Sequence, residues 1–349
     1  MNITRRRLHS LAAAGVLVAL GASACGGSDS GASSSSGSSD GFGDIEIQLS
    51  YIKNIEFSGN YLAVEKGYYT AAKFGKVTLT AGGSSATNAE AQVASGQSFI
   101  GISSPLITAP AVVAGAEIKI IGADYQKNPF NIVSLASAPF KGPADMKGKT
   151  VAVSDFNSLV FQAFMAANEL TKADVTIVPF TDGEAQLASG QVQGYLGYTT
   201  DFKGVAGNDD QPTVEFLLAD EGLPMVAEVL LAAQDTIDNH RDALKAALVA
   251  TIKGWKDALA DPAAATKLTV EDYGKDQDLD YAGQLAAFTK QATLMVTEDT
   301  TANGLLTITP KLVEETIAGL HLADIQITAD QLFDTSVIDE VYSENPDLK

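Results

Sequence analysis

Side chains that usually build nucleophile–base pairs and zinc sites are scarce in this chain, which has three histidines and one cysteine in 349 residues. His240 lies in "DNHRD" at the start of a helical pattern, and His321 follows Gly319 at a helix end. Both positions suit surface or capping roles better than a base or a metal ligand. The single cysteine, Cys25, sits in a Gly/Ser-rich stretch far from either. No nucleophile–base pair and no metal-spaced set can be drawn, so the expectation is a chain without catalytic residues, metal or cofactor. "DQDLDYAG" at 276–283 lacks the sixth-position glycine and twelfth-position glutamate of a calcium loop. It reads instead as an acidic helix start.

Binding chemistry is better represented. "TAGGSSATN" at 80–88 is a glycine turn before a helix that could seat an anion on backbone N–H groups, and Ser84 within it is a candidate ligand contact. No P-loop lysine follows it. Phe57, Tyr61, Tyr125, Phe130, Phe156, Tyr195 and Tyr198 fall at or near expected strand ends. Interspersed with them are Asn54, Glu56, Asn128, Asn157, Thr181 and Asp182. Rings in such places often belong to the core; rings mixed with amides and carboxylates also suit a cleft for a flat, largely neutral heteroaromatic solute. Both readings stay open. Arginine usage points away from planar oxyanions, whose favoured partner is a bidentate guanidinium. Beyond the first residues the only arginine is Arg241, expected on an outer helix face, against nineteen lysines.

The N-terminus carries Arg5–Arg7, an apolar run from Leu11 to Leu20 and the small residues 21–24 before Cys25. Ten apolar residues are too few to span a bilayer, and the pattern is that of a secretory signal over 1–24. It resembles a bacterial lipoprotein signal, which implies acylation of Cys25 and a lipid anchor on the extracytoplasmic face of the cell membrane. Residues 25–43, almost all Gly, Ser, Ala and Asp, read as a flexible tether. Three of the 23 basic residues fall in the signal, leaving 20 against 43 acids and a formal charge of −23. Such acidity argues against nucleic acid as a partner.

From Asp44 onward, strand-like and helix-like segments alternate, the pattern of an α/β fold with parallel sheets. "EAQVASGQ" at 90–97 returns as "EAQLASGQ" at 184–191. Each copy reads as a short helix closed by glycine, follows a β-rich segment and a polar turn, and leads into a strand. The repeat predicts two similar α/β lobes with a shared cleft beyond the carboxyl ends of their strands. Asp238–Ala260 reads as one long amphipathic helix with Ile237, Leu244, Leu248, Ile252, Trp255 and Leu259 on one stripe. Helical elements without strands follow to the C-terminus.

The segments "LSYIKNIEFSGNYLAVEKGYY", "VASGQSFIGISSP", "VVAGAEIKIIGADYQKNPF", "PADMKGKTVAV", "GQVQGYLGYTTDFK" and "LPMVAEVLLA" resemble, in order, those of one family. These are the substrate-binding proteins of ABC importers for nitrate, sulfonates, taurine and thiamine precursors. "NIEFSGNYLAVEKGYY" and "GYLGYTT" look most like the branch that binds vitamin precursors, the thiamine pyrimidine or riboflavin. The resemblance implies the two-lobed periplasmic-binding-protein type II fold, with lobe one at 44–128 and 225–349, lobe two at 129–224 and two crossover segments. It implies a monomer that delivers its solute to permease and ATPase subunits. Asn54, Glu56, Phe57 and Tyr61 would supply first-lobe contacts, Ser103 and Ser104 those after the third strand, and Tyr198 and Thr199 those of the second lobe. Tyr125, Phe156, Asn157 and Asp182 complete the expected lining. An anion-binding protein, a pyrimidine-synthase-like enzyme and a non-transport sensor lipoprotein are the alternatives. The enzyme would need an active-site histidine and a cysteine-rich iron site that this sequence lacks.

Overall fold

A computed structural model describes residues 41–83, 86–200 and 212–349. The signal, most of the tether, Cys25, Ser84 and the segment from Asp201 that follows "GYTT" lie outside the described residues. The first third of the fold runs β1 (Gly43–Gln48), α1 (Ser58–Glu65), α2 (Tyr68–Ala71), β2 (Phe74–Thr80), α3 (Ala89–Ala94), β3 (Ile100–Ser103), α4 (Pro105–Val113) and β4 (Ile118–Tyr125). Then come β5 (Phe130–Leu135), β6 (Lys149–Val153), α5 (Ser158–Ala167), β7 (Val175–Pro179), α6 (Gly183–Ala188), β8 (Gly194–Tyr198) and β9 (Thr213–Leu217). After β10 (Ala227–Ala233) every element is helical: α7 (Gln234–Asn239), α8 (Arg241–Ala260), α9 (Pro262–Leu268), α10 (Tyr281–Met295), α11 (Glu298–Asn303), α12 (Pro310–Leu322), α13 (Ala329–Leu332) and α14 (Ser336–Glu344).

The strands form two five-stranded sheets, ordered β2-β1-β3-β10-β4 and β7-β6-β8-β5-β9. The repeated octapeptide occupies equivalent places in them. Asn88 and Asp182 cap α3 and α6, their side-chain oxygens accepting from Ala91 N and Ala185 N at 3.0 Å. Val93 and Leu187 are buried. Gly96 and Gly190 both close the turn at φ +73°, a left-handed conformation that glycine adopts without a Cβ penalty. The strands that follow, β3 and β8, hold the central place in each sheet.

Neither sheet is wholly parallel, contrary to the expectation from alternation. β10 runs antiparallel to β3 and β4, and β5 antiparallel to β8 and β9. Each of these strands enters its sheet directly from the other one, without a crossover helix to reverse the chain. The chain passes between sheets at 126–129, after β4, and at 218–226, before β10.

Ile47, Ile100, Ile121 and Leu230 of the first sheet pack with Tyr61, Leu244, Leu248 and Trp255. A second core joins Val151, Val153 and Leu196 with Phe161 and Phe164 of α5, and also takes in Ile118, Ile120 and Leu231 of the first sheet and Leu312 and Leu320 of α12. The two sheets are thus tied by shared apolar packing as well as by chain. The long helix expected over 238–260 is broken at His240, whose φ −127° and ψ 28° are not helical. Beyond the break, Arg241 forks onto Glu340 of α14, with Nε and Nη2 at 2.9–3.1 Å from its carboxylate.

Candidate ligand-binding cleft

The turn after β1 positions the first acid. Asn54 caps the 3-10 turn Ile55–Phe57, its Oδ1 accepting from Glu56 N at 2.8 Å and its Nδ2 donating to Glu56 Oε2 at 3.1 Å. That double contact fixes the Glu56 carboxylate, which is 9% exposed. From the end of β8 in the other sheet, Thr200 Oγ1 donates to Glu56 Oε1 at 3.2 Å. Two residues earlier, the Tyr198 hydroxyl donates to Glu228 Oε1 at 3.2 Å. Ser50, just past β1, donates to Glu228 Oε2 at 2.8 Å. Because β10 is antiparallel, its first residues lie beside the carboxyl ends of β3 and β4, with Ala227 opposite Tyr125 and Val229 opposite Ser103. Glu228 is therefore at the edge where open α/β sheets bind ligands.

The electrostatics of this cluster favour protons on its buried groups. Burial and the nearby Glu56 carboxylate push the Glu228 carboxyl well above the usual range. Burial, with Glu228 and Glu56 beside it, likewise raises the Tyr198 hydroxyl, which stays a proton donor at neutral pH. Tyr125 is raised for the same reasons and donates to Gln291 Oε1 at 3.1 Å.

Of the residues singled out in the sequence, Asn54, Glu56, Tyr125 and Tyr198 belong to this cluster. Thr199 stands beside it and donates to Glu215 Oε1 at 3.0 Å, an oxygen that also receives Lys290 Nζ of α10 at 2.7 Å. Phe57 is in the first core, and Tyr61 is fully buried and stacked on Tyr273 with ring centroids 4.1 Å apart. Ser103 donates to the buried Glu90, and Ser104 caps α4. Phe156 is 79% exposed, Asn157 is half-buried beside it, and Asp182 serves as the α6 cap. None of these last three touches the cluster through a contact among the described residues. Thr200 was expected to face the cleft with Tyr198 and Thr199, whereas Ser50 and Glu228 escaped the sequence reading. The available signal for Glu228 was its place as the lone acid in the apolar run "MVAEVLLAA". A 360 Å³ groove lined by Tyr68, Asp242, Lys245, Lys253 and Glu344 lies between α2, α8 and α14 and shares no residue with the cluster.

Behind the cluster, Asp124 of β4 is 4% exposed. Burial holds its carboxyl well above 3.8, with the adjacent Trp255 indole N–H opposing the rise. The unfolded chain sheds that proton near pH 4, the folded chain only at higher pH. Between the two values the folded state binds more protons, so stability falls as pH rises through the window. Urea unfolding should show greater stability at about pH 5 than at about pH 8, and Asp124→Asn should reduce the difference. An unchanged slope in the variant would assign the pH dependence elsewhere.

Comparison with known proteins adds three findings. Residues 54–265 match the family model described as NMT1/THI5 like. A riboflavin-binding protein, RibY, of Chloroflexus aurantiacus is 25% identical over 233 residues, 65% of this chain and 66% of that protein, so the match spans just under two thirds of its length. Among solved structures, the periplasmic aliphatic sulphonate binding protein SsuA of Escherichia coli superposes with a TM-score of 0.62 at 15% identity, covering 83% of this chain and 92% of SsuA. The periplasmic nitrate-binding protein NrtA of Synechocystis PCC 6803 gives 0.62 at 11% identity, covering 87% and 90%. The fold is that of the periplasmic binding proteins.

Proposed function

The chain belongs to the NMT1/THI5-like family, and on that premise we propose that it is the extracytoplasmic substrate-binding component of an ABC importer. Its solute is a small heteroaromatic compound rich in N–H donors, held between the two sheets and passed to permease and ATPase subunits. The observation that carries this reading is the buried pair Glu56 and Glu228, each receiving a hydroxyl from the β8 end of the opposite sheet. Acids so placed present acceptor oxygens to N–H groups and offer an oxyanion no compensating positive charge. Arg241, the one guanidinium among the described residues, is committed to Glu340. The similarity to RibY supports a heterocycle. The fold shared with SsuA and NrtA is the support for the alternative, an inorganic or sulfonate anion. His321 bonds the Ile327 carbonyl and His240 stands exposed at the α7–α8 break, away from the cluster, which favours a binder over a catalyst.

A thermal-shift panel of pyrimidines, flavins, nitrate, taurine and alkanesulfonates tests the reading. Stabilisation by a heterocycle is expected; stabilisation by anions alone would replace it with the alternative. Membrane attachment belongs to the same proposal. No helix among the described residues is long and apolar enough to cross a membrane. Acylated Cys25 would supply the anchor, since buried methylenes contribute about 0.8 kcal/mol each and two chains hold durably. Cys25→Ala should therefore release the protein into the medium, as read by fractionation and immunoblot, and a membrane-retained variant would refute the anchor.

A further inference from the structure

Strand β10 and the approach to it, "MVAEVLLAA", bury a single acid among apolar neighbours, with Glu228 at 9% exposure between Ala227 and Val229. A carboxylate in such surroundings is costly unless it is paired. No lysine or arginine forms an ion pair with Glu228 among the described residues, where its side-chain partners are the hydroxyls of Ser50 and Tyr198. The backbone is also unusual. Glu228 has φ +45°, and residues of L configuration avoid that region at a cost of about 1–2 kcal/mol. Ala227 and Val229 keep regular partners on β4, Tyr125 and Ala123. The strain is therefore confined to the one residue whose side chain reaches the cluster, the pattern found where function fixes a side chain's direction.

We propose that Glu228 is a recognition residue of the cleft, the acceptor for an exocyclic amino group or protonated ring nitrogen of the bound heterocycle. The inference rests on the importer reading and narrows its solute to amino-substituted nitrogen heterocycles. Two rotatable hydroxyls, one from the carboxyl edge of each sheet, stand where the solute's N–H groups would go. The Tyr198 contact is the longer of the two at 3.2 Å and the easier to displace. Among the described residues, the groups facing the carboxyl are Ser50 past β1, Glu56 on its turn, Asp124 on β4 and Tyr198 on β8, with Tyr125 nearby on β4. None brings positive charge. An amino-bearing solute supplies the N–H donors that these neighbours lack, and in doing so favours the ionised form of Glu228. Binding should then release a proton wherever Glu228 is protonated in the empty cleft.

The test is titration calorimetry with three probes: the hydroxymethyl-aminopyrimidine portion of thiamine, its oxo analogue with a carbonyl in place of the amino group, and riboflavin. The wild type should prefer the amino compound over its oxo analogue by about tenfold or more, and Glu228→Gln should bring that ratio below about threefold. A ratio retained in the variant overturns the proposal. Equal binding of riboflavin to wild type and variant, with neither pyrimidine bound, overturns it while leaving the importer reading intact. No binding of any heterocycle removes both. Should Glu228→Gln melt early, the wild type alone decides. Repeating the aminopyrimidine titration at successive pH values, in two suitable buffers of different ionisation enthalpy at each, should reveal net proton release at the low end of the series, fading as pH rises. No release at any pH counts against Glu228 as the acceptor.

Discussion

Replacing Gly254 with alanine should lower the unfolding free energy by about 3 kcal/mol or more, because helices α1 and α8 cross with no room for a side chain. A Cβ at Gly254 would lie 2.1 Å from the Gly59 carbonyl oxygen and 2.8 Å from Ala63 N. At Gly59 it would lie 2.1 Å from the Trp255 indole, which is fully buried. The first collision is with backbone, which cannot turn aside as a rotamer can. Alanine's better helix propensity returns only about 1 kcal/mol. At about 2–4 °C per kcal/mol for a chain of this size, the melting temperature should fall by roughly 6–12 °C. Gly96→Ala is the contrasting control, since nothing lies within 4 Å of its would-be Cβ and only the dihedral at φ +73° resists. It should cost about 1 kcal/mol. Equal melting of Gly254→Ala and wild type would mean that the two helices do not meet as described.

Glu56→Gln should weaken solute binding by about 10–100-fold, the range for losing a hydrogen bond to a charged group at a buried site. The substitution keeps the volume and the cap from Asn54 Oδ1 to the backbone N–H of residue 56, so a loss of affinity larger than any loss of melting temperature is the expected signature. The amide oxygen can accept from Thr200 Oγ1 or from Asn54 Nδ2 but not from both, and what disappears is an acceptor oxygen for the solute's N–H donor. Calorimetry with the heterocycle found in the ligand panel measures it. Unchanged affinity would place the solute away from the turn after β1.

The architecture was legible because its signals were local and repeated. The octapeptide encodes its buried Val93 or Leu187 and its closing glycine, an Asn or Asp cap stands two residues before each copy, and two copies in matching surroundings suffice to predict two similar sheets. Strand direction is carried by no such signal. That β5 and β10 run antiparallel follows from the chain entering each sheet from the other, a long-range event. The break at His240 was hidden because Ile237 and Leu244 still fall on one apolar stripe. In the cleft, Asn54, Glu56 and Tyr198 were readable as polar and aromatic groups after strands. Phe57 and Tyr61 carry the same signature yet pack inward, because a ring after a strand serves a core or a pocket equally well. Ser103 was read as facing a ligand, and its hydroxyl is directed to Glu90, the first residue of the octapeptide. Glu228 went unnoticed because its direction depends on a left-handed backbone that no residue pattern announces.

We propose that the cleft between the sheets takes a nitrogen heterocycle in preference to an anion. Native mass spectrometry of the wild type, incubated with an equimolar mixture of the aminopyrimidine, riboflavin, nitrate, taurine and an alkanesulfonate, tests it in one measurement. A one-to-one complex with the mass of a heterocycle, lost in the Glu56→Gln variant, is the expected result. A one-to-one complex with nitrate, taurine or the sulfonate, and none with either heterocycle, would contradict it.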